Sequence, residues 1–270
     1  MSIMKRILVP TDFSPNAEKA LNYALQLAKK SEGEIFLIHA VDSEKTERDC
    51  TIAGEKMAAK TKGIAEQEKV NITTKIYQDL PVNAILDAIK EFKIDFVVMG
   101  TLGNTALPER IMGSRTAKVI GKSMVPVLAI PPMSDWKVPN KILLAIKDFE
   151  EKNSQILPVI QMARLFSASI QVTIFTDTDD DFVEDYDDHE LKIAAYRDIL
   201  KEQFKDVEIH AVHLAGHHFR ENVKNWIANN NIDIMVMLTH KKNIIEKIFV
   251  GSMAKKMSYH ISIPLLAIPV

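Results

Sequence analysis

Ile94-Asp95-Phe96-Val97-Val98-Met99-Gly100-Thr101-Leu102-Gly103, followed after nine intervening residues by Gly113-Ser114, decides how the rest of the chain is read. The chain has only nine glycines, and three of them fall within these fourteen positions, 100 to 113. The apolar run before Gly100 has the character of a buried parallel strand, and Ser114 to Ile120 carries a helical pattern, so strand, loop and helix start follow one another in the order used by phosphate sites. Glycines let main-chain N–H groups approach phosphate oxygens, and a helix N-terminus adds about half a positive charge. Gly121-Lys122-Ser123 imitates the end of a P-loop, but that motif needs a glycine where Thr116 stands, and here a helix precedes it. Gly121 reads instead as a helix C-cap.

The chain matches itself. Ile7-Leu8-Val9-Pro10-Thr11-Asp12-Phe13 pairs with Leu143-Leu144-Ala145-Ile146-Lys147-Asp148-Phe149 at an offset of 136. Ile94 to Met99 pairs with Ile232 to Met237, and Pro126 to Pro131 with Pro264 to Pro269, both at an offset of 138. Two copies of one unit are expected, spanning 1–132 and 140–270, with a linker over 133–139, where Pro131, Pro132 and Pro139 oppose regular structure. In the first copy strands and helices alternate: Arg6 to Val9, Ser14 to Lys30, Glu34 to Ala40, a polar helical stretch from Lys45 to Glu68, Ile72 to Tyr77, Val82 to Phe92, Phe96 to Met99, Ser114 to Ile120, and Val125 to Ile130. That order predicts an α/β fold, each unit a mostly parallel five-stranded Rossmann-like sheet flanked by helices. Ser14 suits an N-cap and Pro15 the first helical position, with Ala17, Ala20, Leu21, Ala24, Leu25 and Ala28 on one face. Ligands on such sheets bind beyond the carboxyl ends of the strands, where the strand order reverses.

The Gly-x2-Gly-x9-Gly-Ser spacing resembles the ATP-binding loop of the universal stress protein A family, and the two copies extend that resemblance over nearly the whole chain as a tandem form. The resemblance implies ATP, with Mg or Mn on its phosphates, held in the first copy. It places Pro10, Thr11 and Asp12 on the adenine and ribose side and gives Ala40 main-chain contacts to adenine. Met99, Gly100 and Gly103 would then line the ribose and phosphates, and Gly113, Ser114 and Arg115 would hold the phosphate tail. In the second copy Gly100 is replaced by Leu238 and Gly103 by Lys241, while Gly251-Ser252 persists. A Cβ at both loop positions crowds the phosphate approach and restricts left-handed backbone, so ATP binding there is expected to be lost or weak. Lys241 and Lys242 read as solvated charges.

The composition narrows the function. Formal net charge is −2, with no basic stripe to meet a polyanion, so nucleic acid is not an expected partner. No apolar run approaches the roughly 20 residues of a membrane span, and the N-terminus leads straight into a strand, so a cytoplasmic protein is expected. The single Cys50 reads as a spare thiol. Seven of eight histidines lie in the second copy, at His189, His210, His213, His217, His218, His240 and His260, which raises a metal-binding alternative. They show no H-E-x-x-H or C-x-x-C context, and His210 and His213 fall on opposite faces of a regular strand. The acidic run from Asp177 to Asp188 lacks the glycine and terminal glutamate of an EF-hand. No nucleophile elbow, kinase set or Ser, His and Asp arrangement is present, so binding is expected rather than turnover, with slow ATP hydrolysis the upper bound. Near the loop, only Asp12 and Glu109 are placed to act as a base for water. The partners implied are an adenine nucleotide, pairing of the two copies within the chain, a homodimer, and a protein reader of the bound state. A scaffold that binds no nucleotide and pairs through its apolar last strands is the alternative.

Overall fold

A computed structural model describes residues 4–42, 44–102, 113–146, 149, 153–177, 184–217, 219–239 and 262–270. Among them the chain forms two compact units, one running to Trp136 and the other beginning at Lys137. The first contains β1 (Arg6–Pro10), α1 (Pro15–Ser31), β2 (Glu34–Val41), α2 (Glu47–Thr61), α3 (Ile64–Glu68), β3 (Ile72–Gln78), α4 (Pro81–Glu91), β4 (Phe96–Gly100), α5 (Ser114–Lys122) and β5 (Val127–Ile130). Its strands lie in the order β3-β2-β1-β4-β5, with every pair parallel. The chain moves outward from β1 to β3 and returns to β4 on the other side of β1, so the order reverses between β1 and β4. Phe96, Val97 and Val98 at the sheet centre are fully buried, as an apolar run covered on both faces requires.

Ser14 caps α1 by accepting from the Ala17 N–H at 3.1 Å, and Pro15 opens the helix. The helix ends where Glu32 turns left-handed at φ 51°, its N–H reaching Ala28 O. The face of Ala17, Ala20, Leu21, Ala24, Leu25 and Ala28 is buried as the periodicity predicts, joined by Tyr23 and Leu27. The polar stretch is two helices rather than one, broken at Gly63, whose φ is +84°. Gly121 is not a C-cap: α5 continues through it, and Ser123 caps the helix with its N–H on Val119 O at 2.8 Å.

After β5 the chain does not leave α1. Lys19 Nζ donates to Pro132 O at 2.6 Å and pairs with Asp135 at 2.8 Å. The Tyr23 hydroxyl donates to Asp135 O at 2.8 Å and lies 2.9 Å from Ser134 Oγ, while the Trp136 ring meets Tyr23 edge-on at 4.9 Å. Residues 132–136 therefore form a strap docked on α1.

The second unit contains β6 (Lys141–Ala145), α6 (Asn153–Phe166), β7 (Ser169–Asp177), α7 (Glu184–Gln203), β8 (Ile209–Gly216), α8 (Phe219–Asn230), β9 (Ile234–Thr239) and β10 (Leu265–Pro269). Its order β10-β9-β6-β7-β8 repeats that of the first unit. An aspartate fixes the same joint in both: Asp95 accepts from the N–H groups of Lys5 and Arg6 at 3.0 and 3.2 Å, and Asp233 from those of Asn140 and Lys141 at 2.7 and 3.0 Å. These bonds place Asn140 at the Lys5 position, so the first strands correspond at an offset of 135, one less than the sequence match suggests. Ile146, whose N–H reaches Thr173 O at 2.9 Å, therefore stands where Thr11 reaches Ile38 O at 2.8 Å, and the counterpart of Pro10 is Ala145. The offset of 138 holds for β9 and β10, since Met235 N donates to Pro264 O as Val97 N does to Pro126 O.

Candidate functional site

The carboxyl ends of β1, β2, β3 and β4 open into one cleft of about 610 Å³ in the first unit, within the range of about 300–1,000 Å³ usual for small-molecule sites. Pro10, Thr11, Asp12, Ala40, Met99, Gly100, Gly113, Ser114 and Arg115 all line it. Gly103, the remaining residue singled out from the sequence, lies outside the described residues, as do Glu109, Lys147, Asp148, Lys241, Lys242, Gly251, Ser252, His218, His240 and His260.

Each wall has a local cause. Beyond β1 the chain must turn into α1, and it does so through Phe13 at φ 61°, a left-handed conformation that bulky residues rarely adopt. Thr11 Oγ1 accepts from Phe13 N at 3.0 Å and Asp12 Oδ1 from Ser14 N at 3.0 Å, which fixes the turn and faces residues 10–12 to the cleft. The Phe13 ring lies 4.6 Å from that of His39, and Lys56 Nζ lies 4.3 Å from the Phe13 ring centroid. His39 Nδ1 lies 2.7 Å from Thr11 O, tying β2 to the same turn.

The opposite wall is the end of β4 and the start of α5. Gly113 occupies the N-cap of α5 with no side chain capping it, so the first-turn amides of a nine-residue helix face outward without intrahelical acceptors. Arg115 stands in that first turn. Gly113 N donates to Thr101 O at 2.6 Å, and Thr116 Oγ1 reaches Gly100 O at 3.2 Å and Thr101 O at 3.3 Å. The two ends of the glycine loop are thereby drawn together.

Neither Gly100 nor Gly113 needs a left-handed backbone, since the positive-φ glycines among the described residues are Gly63 and Gly216. The reason for each is close approach. A Cβ on Gly113 would lie 3.1 Å from Thr101 O, and one on Gly100 would lie 2.7 Å from Asn16 Oδ1. At Gly100, then, the constraint is steric and not a left-handed backbone as expected, while Gly103 lies outside the described residues. In the second unit the Gly100 position holds Leu238, buried with only 4% of its surface exposed.

Charge is distributed unevenly along the cleft. Asp12, Asp42 and Asp79 follow β1, β2 and β3, whereas the α5 amides and Arg115 lie beyond β4. From β3 to β4 is three strand spacings, about 14 Å, so an occupant with one anionic end is oriented with that end toward α5. Asn16, Phe13, His39, Asp42, Asp79 and Thr116 escaped the sequence reading. Only the position of Asp42 and Asp79 directly after strands offered a signal for them. Among the described residues no group of three His, Cys, Asp or Glu side chains is arranged to hold a metal, and no helix is long and apolar enough to cross a membrane.

Comparison with known proteins adds the family. The model of the universal stress protein family matches residues 4–131 and again 139–269. Universal stress protein MJ0531 of Methanocaldococcus jannaschii is 30% identical over 145 residues, which cover 48% of this chain and 83% of that protein. MJ0577 of the same organism is 31% identical over 157 residues, covering 48% of this chain and 97% of its own. Among solved structures, a universal stress protein from Archaeoglobus fulgidus superposes with a TM-score of 0.72 at 16% identity over 98% of both chains, a likeness of fold.

Proposed function

This chain belongs to the universal stress protein family in its tandem form, and we propose that its first repeat binds ATP as a regulatory ligand while its second repeat does not. The observation that carries the proposal is the convergence of residues 10–12, 99–100 and 113–115, distant in sequence, on a single cleft that ends at the uncapped start of α5. Backbone N–H groups and Arg115 suit a phosphate tail. The strand ends near Ala40 and Ile38 supply an apolar wall with main-chain polar groups, which suits a purine. ATP bound there would supply phosphate charge to the α5 end, with Mg or Mn accompanying it on the phosphates. The described cleft residues suit ATP as binding groups, and a regulatory ligand is preferred to turnover. Leu238 at the Gly100 position supports the asymmetry between the repeats, because it is a buried side chain at a place where, in the first repeat, a Cβ would lie 2.7 Å from Asn16 Oδ1.

The test is a thermal melt of nucleotide-stripped protein with and without millimolar Mg-ATP. A ligand at one hundred times its dissociation constant adds about 2.7 kcal/mol. The expected result is a rise of several degrees that GTP does not produce and that Gly113→Val removes, because the valine would press on Thr101 O. No rise, with no nucleotide retained on purification, overturns the proposal in favour of a scaffold.

A further inference from the structure

Asn16 lies in the first turn of α1, is 7% exposed, and was invisible to motif reasoning because asparagine near a helix start commonly serves only as a cap. Ser14 already caps this helix, so Asn16 is released from that task. Its amide instead bridges two other elements. Asn16 Nδ2 donates to Ile130 O at the end of β5, 3.0 Å away, and Asn16 Oδ1 accepts from Leu102 N, the last described residue before the glycine loop, at 2.9 Å. A buried amide satisfied at both ends in this way holds its partners in one geometry. The same side chain underlies Gly100: an added Cβ there would lie 2.7 Å from Asn16 Oδ1, 2.9 Å from its Cγ and 3.1 Å from its backbone O.

We propose that Asn16 is the positioning residue of the phosphate-binding end of the cleft, and that Gly100 is glycine to admit Asn16 rather than to admit nucleotide. Leu102 and Gly113 are the two described ends of the loop. Asn16 fixes the first, and the Gly113 N–H bond to Thr101 O fixes the second to it. Because Asn16 and the Thr11-Asp12 turn both stand at the start of α1, the amide also sets the distance from the strand β1 wall to the α5 amides. Removing it takes the Leu102 N–H from its partner and frees the loop entrance, while Ile130 O keeps the Thr101 N–H at 3.0 Å and no group on the adenine side is touched.

This role rests on the nucleotide reading of the first repeat, and the experiment separates the two. Binding of ATP and of adenosine to the full chain is measured by calorimetry for wild type, Asn16→Ala, Asn16→Ser, Gly100→Ala and the Asn16→Ala/Gly100→Ala pair, with melting temperatures recorded without ligand. Asn16→Ala is expected to weaken ATP about tenfold or more, in line with the loss of one well-placed bond and the exposure of its partners, and adenosine less than about twofold. Asn16→Ser, too short to reach Leu102, is expected to behave alike and serves if the alanine variant fails to fold. Gly100→Ala is expected to lower the melting temperature more in the wild-type background than beside Asn16→Ala, where the two nearest atoms, Asn16 Oδ1 and Cγ, are gone and the backbone O at 3.1 Å remains. Equal losses of ATP and adenosine affinity, or an effect of Gly100→Ala that is the same in both backgrounds, overturns the role of Asn16 alone. Failure of wild type to bind ATP overturns the nucleotide reading, and the Asn16 role as a phosphate-end device falls with it.

Discussion

His213 shows how a side chain outside the cleft responds to its surroundings. Its Nε2 lies 2.8 Å from Thr176 Oγ1, which is also 2.7 Å from His189 Nδ1, and the Tyr186 ring lies 4.5 Å away. Burial first, and then His189, hold the His213 imidazole below the ordinary histidine range, while Glu190 pulls the other way. A charged ring would carry an N–H on Nδ1, a buried atom with no hydrogen-bond partner among the described residues. Since the folded value lies below the unfolded one, the unfolded chain takes up the proton first. The associated stability is present above about pH 6.5, the ordinary histidine value, and is lost as pH falls through the lower folded value. Melting temperature measured from pH 7.5 to 5 should fall for wild type in that window, and less steeply for His213→Asn; identical slopes would remove His213 as the cause. At this scale the sequence was legible where a residue type has a local job, as with Ser14 and Pro15. It was illegible where a residue serves a distant partner, as Asn16 serves Leu102 and Phe13 packs on His39.

Elements were more readable than residues because periodicity reports burial over many positions. α1 was legible in full, since its apolar spacing, cap and proline agree. The helical stretch after β2 was legible as polar but not as two pieces, because of its two glycines Gly54 sits inside α2 and Gly63 breaks the pattern, and a helical pattern tolerates an isolated glycine. Its consequence is energetic: α2 buries only Ala53 and Met57, and α3 buries nothing, whereas α1 buries ten residues. Few buried apolar contacts mean a low free energy of local opening. Hydrogen exchange should therefore release the amides of Glu47–Thr61 and Ile64–Glu68 well before those of Pro15–Ser31, and equal protection would contradict this account. The one-residue shift between β1 and β6 was hidden for a related reason. Apolar runs of similar residues match at several offsets, and the register is fixed by backbone bonds, those to Asp95 and Asp233 and those of Thr11 and Ile146 to the neighbouring strand.

For the molecule as a whole, the doubled family match and the repeated strand order agree that one unit was used twice. The prolines at 131, 132 and 139 marked a join, but they gave no sign that Ser134, Asp135 and Trp136 return to α1, because the partners Lys19 and Tyr23 lie over a hundred positions away. A fragment of residues 1–136 should melt several degrees above one of residues 1–132, which lacks the Tyr23 bond to Asp135 and the edge contact of Trp136 with Tyr23. Matching melting temperatures would show that the strap adds nothing to the first repeat. The strap also determines how mechanical tension travels. A pull applied through Lys137 bears first on Trp136, Asp135 and Ser134, and through them on Tyr23 and Lys19, before it reaches β5. Lys19 is one turn along the same helix from Asn16, so tugging on the join strains the root of the glycine loop.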